Sequence, residues 1–186
     1  MSAGRTHGPS RAHGDVRWLD ADEQATWRAL LLCSQLLDEA LDRQLQRDSG
    51  LAHSHYAILA ALSEVAHSAM RMNELASVLR FSSSRMTHAI ASLERKGWVT
   101  RNRCPEDGRG QYAALTDQGR LVLEQAAPGH VTEVRRCVFD RLTPIRQRQL
   151  HDICTAILDG LDPQLHVTRS GPIRSARTRD GRSHRR

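Results

Sequence analysis

Between Phe81 and Arg109 the chain sets hydroxyl, imidazole and guanidinium side chains at a spacing suited to hydrogen bonding with a polyanion. Ser82, Ser83 and Ser84 offer a helix N-cap, because a serine hydroxyl accepts a bond from an unpaired first-turn N–H. Met86, Ala89, Ile90 and Leu93 then fall at i, i+3, i+4 and i+7, which makes one buried helical stripe. The other face carries Ser83, Ser84, Thr87, His88, Ala91 and Arg95, and no carboxylate. Small side chains allow close approach there, and hydroxyl or imidazole groups can meet base edges, so the face suits a DNA major groove. Gly97 ends the helix.

A basic hairpin follows. Trp98–Arg103 and Gly110–Leu115 have strand character and are joined by Cys104-Pro-Glu-Asp-Gly-Arg109, a run dense in turn residues. Arg101 and Arg103 stand on its limbs and Arg109 at its tip. The limb arginines, with Arg85, suit phosphates. The tip arginine suits the adjacent minor groove, whose narrow cleft concentrates negative potential. With a helix over Asn73–Arg80 and a tight turn at Phe81-Ser82, this describes a winged helix-turn-helix reader over about 70–115. An ordinary surface helix and hairpin with solvated charge is the plainer reading, and the coincidence of upstream helix, tight turn and wing argues against it.

Charge supports the reader only once it is partitioned. The net charge is +6. Residues 168–186 hold seven arginines against Asp180, so the surplus comes from the tail, and residues 17–167 are close to neutral. Within that core, residues 71–109 carry eight basic and four acidic side chains, a positive lobe on an otherwise acidic body. Only local charge neutralises phosphates, so this lobe says more than the total.

The elements that must position the reader are helical, and the fold class is mainly α. Residues 1–16 have no apolar pattern and are expected to be a disordered N-terminal tail. The domain is expected over 17–165. Asp20 with Glu23 makes a capping-box start for a long helix over about 20–47, with Trp27, Leu30, Leu31, Leu37, Leu41 and Leu45 at helical spacing. A second helix runs from Ser54 to about Ala66. Thr116 caps a fifth helix, broken or kinked at Pro128-Gly129, and Thr143-Pro144 opens a last one. The helices over about 20–47 and 117–160 are long and flank the reader, which suggests dimerisation on a pseudo-palindromic site. Residues 168–186 read as a disordered Arg-rich tail, either adding non-specific phosphate contacts or projecting idly from the dimer lobe.

The fragments Arg71-Met-Asn-Glu-Leu-Ala76, Ser84-Arg-Met-Thr87, Leu93-Glu-Arg-Lys-Gly97, Asp107-Gly-Arg109 and Leu115-Thr-Asp-Gln-Gly119 resemble, in this order and spacing, the MarR family of bacterial winged-helix regulators. The resemblance runs from about Trp18 to Leu161. It departs at Gly108, where a charged residue is more usual. It implies an intertwined homodimer, a double-stranded DNA operator and a small aromatic or anionic effector. The residue pattern and the resemblance together place DNA contacts at Ser83, Ser84, Arg85, Thr87, His88, Arg95, Arg101, Arg103, Asp107 and Arg109. Trp27, His55 and Tyr56 are candidates for an effector cleft, against the plainer reading that the aromatic pair is core and the histidine surface.

Other chemistries have thinner support. Ten histidines raise metal sensing, but His53 and His55 at i, i+2 point to different helix faces, and no metal or other cofactor is expected. Cys33 on the first helix raises a thiol-based redox switch, since a peroxide-sensing branch of the family uses a first-helix cysteine, yet no neighbouring base or aromatic depresses its pKa. Cys137 and Cys154 fall in apolar helical patterns and read as filling, which leaves Cys104 as the thiol expected to be exposed. No phosphate-binding loop, nucleophile elbow or paired-carboxylate motif marks an enzyme, so no catalytic residue is assigned. A winged-helix protein-interaction module is the remaining alternative. No segment approaches the ~20 apolar residues that span a bilayer, so a cytoplasmic protein is expected.

Overall fold

The computed structural model describes residues 16–103, 110–162, 165–166 and 174–175. The chain divides into two compact units, Met1–Leu36 and Leu37–Arg186. Helix α1 (Ala21–Ser49) contributes to both.

In the first unit the expected capping box is present. Asp20 Oδ1 accepts from the Asp22 and Glu23 backbone N–H groups at 2.9 and 2.8 Å, and Glu23 Oε2 accepts from Asp20 N–H at 3.0 Å. Two orphan first-turn donors and the N-cap's own N–H are thereby satisfied. The apolar side chains Trp27, Leu30, Leu31, Leu32 and Leu36 remain 46–57% exposed on this part of α1.

The second unit is built around α2 (His53–Ser63), whose Ile58, Leu59 and Leu62 are fully buried. Strand β1 (Ala69–Arg71), α3 (Met72–Val78), α4 (Ser83–Arg95), β2 (Val99–Arg103) and β3 (Gln111–Leu115) follow. The three strands form an antiparallel sheet in the order β1-β3-β2, with Ala113 opposite both Met70 and Arg101. Leu45 and Leu51 join Leu75 of α3, Met86, Ile90 and Leu93 of α4 and Val99 of β2 in one core. Helix α5 (Asp117–Cys137) starts at Thr116, whose hydroxyl accepts from Gly119 N–H at 3.0 Å. Its Leu123 and Ala126 close the core.

Two expectations change. Pro128 does not break α5, which runs helical through it. Thr132 Oγ1 donates to the Pro128 carbonyl at 2.9 Å, and the helix packs so closely that a Cβ on Gly129 would stand 3.0 Å from Gln44 Nε2. Proline removes one helical donor, and packing overrides that local loss. Of the 168–186 segment, expected to be a disordered tail, Arg174–Ser175 pair as strand β5 with β4 (Leu165–His166), and the rest lies outside the described residues.

Helix α6 (Pro144–Leu161) begins as expected, with Thr143 accepting from Arg146 N–H at 3.3 Å and proline in the first turn. It contains no buried residue, and Ile145, Leu150, Ile153, Ile157 and Leu161 are all exposed. Cys154, expected as apolar filling, is exposed. Among the described residues no helix is long and apolar enough to cross a membrane.

Candidate nucleic-acid interface

Helix α4 is fixed at both ends by local sequence. Ser82 caps it, accepting from Arg85 N–H at 3.2 Å. At the other end Gly97 takes φ +74°, while Gly97 N–H reaches the Glu94 carbonyl and Trp98 N–H the Leu93 carbonyl. This pair of bonds is the Schellman arrangement, and its left-handed residue favours glycine. Met86, Ile90 and Leu93 are buried at 1% exposure or less, which clamps one face of the helix to the core. The opposite face, Ser83, Ser84, Arg85, Thr87, His88 and Arg95, is exposed, and Ala91 is partly buried.

The side chains on that face are not equivalent. Thr87 Oγ1 donates back to the Ser83 carbonyl at 2.8 Å, so the hydroxyl keeps its acceptor lone pairs and its methyl for an incoming partner. The Arg85 guanidinium lies 4.1 Å above the Phe81 ring, which holds it at the turn between α3 and α4. That turn is tight. Arg80 adopts φ +54° and pairs with Asp162, which follows α6, while Phe81 N–H donates to the Ala76 carbonyl at 2.9 Å.

Among the wing residues, Arg103 ends β2 opposite Gln111 and is exposed. Arg101 is different. Its Nε lies 2.6 Å from Glu94 Oε2, and its backbone N–H donates to Glu94 Oε1 at 3.1 Å. A phosphate would have to compete with that carboxylate. Asp107 and Arg109 lie outside the described residues, as does Cys104.

Glu94 is the site residue that the sequence pattern missed. Nothing in spacing alone pairs a helix carboxylate with an arginine seven positions later on a strand, although its placement in a basic lobe is a hint. Lys96, the chain's single lysine, sits 4.5 Å from the Trp98 ring, where helix becomes wing.

The proposed effector residues fall in different units. Trp27 lies in the first unit, half exposed. His55 and Tyr56 lie in the second. Burial, and secondarily Lys96, holds the His55 imidazole below the usual histidine range. Burial, and secondarily Glu64, raises the Tyr56 phenol. Tyr56 packs against His130 of α5, ring centroids 4.2 Å apart. Cys33 is exposed in the first unit, and Cys137 contacts Arg136 and Glu133. Among the described residues no group of three or more His, Cys, Asp or Glu stands ready to hold a metal ion.

The arrangement is that of known regulators. The chain is 49% identical to Sco3205, a MarR family transcriptional regulator from Streptomyces coelicolor whose crystal structure is of a complex with DNA. That likeness covers 81% of this chain and 94% of Sco3205, with a TM-score of 0.77. AbsC, a MarR family transcriptional regulator from the same organism, is 38% identical over 80% of this chain and 100% of its own, with a TM-score of 0.75. The uncharacterised HTH-type regulator YkoM of Bacillus subtilis is 32% identical over 56% of this chain and 66% of its own length, a little under two thirds. The MarR family profile matches residues 49–110, from the end of α1 to the edge of β3. With a capped, core-clamped reading helix feeding a two-stranded wing, the chain belongs to the MarR family of winged helix-turn-helix, DNA-binding transcriptional regulators, which are not enzymes.

Proposed function

We propose that the chain acts in the cytoplasm as a homodimeric repressor that grips a pseudo-palindromic operator and is released by a small aromatic or anionic effector. The observation that carries the DNA reading is the exposed Ser83, Ser84, Thr87, His88 face of α4, backed by three fully buried residues. Thr87 and His88, exposed on that face, would read base edges, whereas Arg85, Arg103 and, in competition with Glu94, Arg101 would hold phosphates. Thr87→Ala or His88→Ala should each relax discrimination at particular base pairs by about 1–3 kcal/mol. Arg85→Ala should weaken all sequences alike. Affinity measured on a panel of single-base operator variants separates the two outcomes, and a Thr87→Ala protein weakened equally on every variant would mean the reading face is misassigned.

The second copy is supported by α6. Ile153 and Ile157, one turn apart, are 57% and 43% exposed on a helix with nothing buried, a surface that a monomer gains nothing by displaying. Two readers on a two-fold dimer would meet half-sites about one helical turn apart, ~10 bp. Ile153→Asp with Ile157→Asp should give a monomer by sedimentation at micromolar concentration, with loss of tight operator binding. A doubly substituted protein that stays dimeric would remove α6 from the interface. The exposed Cys33 favours oxidation as the competing release signal. Peroxide and aromatic acids tested separately for operator release distinguish the two triggers.

A further inference from the structure

Helices α2 and α5 meet through three aromatic rings that DNA reading does not use. His53 opens α2, and the end of α1 holds it twice. Its backbone N–H donates to Asp42 Oδ1 at 2.8 Å, and its Nδ1 lies 2.8 Å from Asp38 Oδ1. One turn on, Tyr56 faces the His130 ring of α5 at 4.2 Å, and the His53 and His130 centroids stand 5.6 Å apart. His130 is thus sandwiched against a phenol and a second imidazole. Its Nδ1 is buried and meets no hydrogen-bonding group, and the Oε1 of buried Gln44 is in the same state.

We propose that the His53–Tyr56–His130 cluster is a proton-operated latch between α2 and α5, closed while His130 is neutral and opened when it takes up a proton. The surrounding charges are arranged to refuse that proton. On α1, Asp38 and Asp42 are engaged by His53, and Asp48 by Gln44 and Arg47. On α5 itself Glu133 is held by Arg136, which with that hydrogen bond keeps its carboxyl at about 2, and Arg47 adds further positive potential there. From α2, His53 presents another imidazole and Tyr56 a neutral phenol. Among the described residues, a proton on His130 therefore finds these carboxylates already engaged and a second imidazole 5.6 Å away. Burial first, and His53 second, hold its pKa below the usual histidine range.

The unfolded chain accepts a proton on this histidine near pH 6.5, and the folded chain resists it. The latch is therefore fully closed above that pH and loses hold as pH falls through about 6.5 towards the lower folded pKa. Loosening it frees α5, whose first residues are bonded to the end of the reading helix through Thr116, so acid disturbs the reader from behind.

The test compares the full-length wild-type chain with His130→Phe, which keeps a ring in the stack and cannot titrate. Thermal unfolding is followed by circular dichroism from pH 8 to pH 5. The wild type should lose stability below about pH 6.5, the folded-to-unfolded ratio falling by up to tenfold per pH unit from this group and by less in practice because the ring is only partly buried. His130→Phe should lose that portion, so the gap between the two curves must narrow or reverse on acidification. Parallel curves overturn the proposal. Should His130→Phe fail to fold, imidazole NMR titration of the wild type decides: His130 protonating below the ordinary histidine pKa, with faster amide exchange at the start of α2, supports the latch, and titration at or above that value overturns it.

Discussion

Gly119→Ala should destabilise the protein by about 3 kcal/mol through an overlap with backbone that cannot be relieved locally. A Cβ at this position would lie 2.1 Å from the Trp98 carbonyl oxygen, 2.9 Å from its carbon and 2.9 Å from Leu115 Cδ1. The nearest obstacle is backbone, so no rotamer change absorbs it. The same carbonyl accepts from Thr116 N–H at 3.1 Å, and Thr116 Oγ1 donates to the Gly97 carbonyl at 2.7 Å. Pushing the first turn of α5 outward breaks both bonds, and with them the joint where α4, β2 and α5 meet. In a helix interior alanine is normally the better residue by up to about 1 kcal/mol, so the expected sign is the reverse of what propensity gives. A urea midpoint for Gly119→Ala equal to that of the wild type would show that the joint yields at no cost.

Ile90→Ala should cost about 2–5 kcal/mol, the range for deleting a fully buried aliphatic side chain and leaving a cavity. Ile90 is 0% exposed and occupies the middle of the stripe beneath the reading face. Its loss leaves Met86 and Leu93 holding the ends of α4 with a gap between them. Operator affinity should fall even where the protein remains folded, because a reading helix that rocks over its own core presents Thr87 and His88 in many poses. The check is a shifted urea midpoint at unchanged slope, with affinity measured well below the transition. A loss under about 1 kcal/mol would mean that neighbouring side chains collapse into the space.

What could be read from the sequence follows how local each determinant is. The α4 cap, its apolar stripe and the Gly97 stop lie within sixteen residues of one another, and each appears in the structure at the expected position. The wing strands were legible for the same reason. Strand β1 was not, since three residues hold no periodicity and it exists only because Ala69–Arg71 finds Tyr112–Ala114. The Glu94–Arg101 pair and the Tyr56–His130 stack were likewise hidden, because each joins residues on different elements. Pro128 shows the opposite failure: a strong local signal for a break is outweighed by the packing of α5. The apolar residues of α6 were visible at helical spacing, but spacing does not say whether a stripe faces its own core or another molecule.

The unburied α6 has a consequence for the cell's arithmetic. If α6 pairs with a second copy as proposed, the active species forms in proportion to the square of the chain's abundance at low copy number. Halving synthesis then removes about three quarters of the operator-competent form rather than half, by mass action alone. A gene controlled by this chain would accordingly answer to its level with a threshold, and small changes in translation or turnover would be felt at the promoter as large ones.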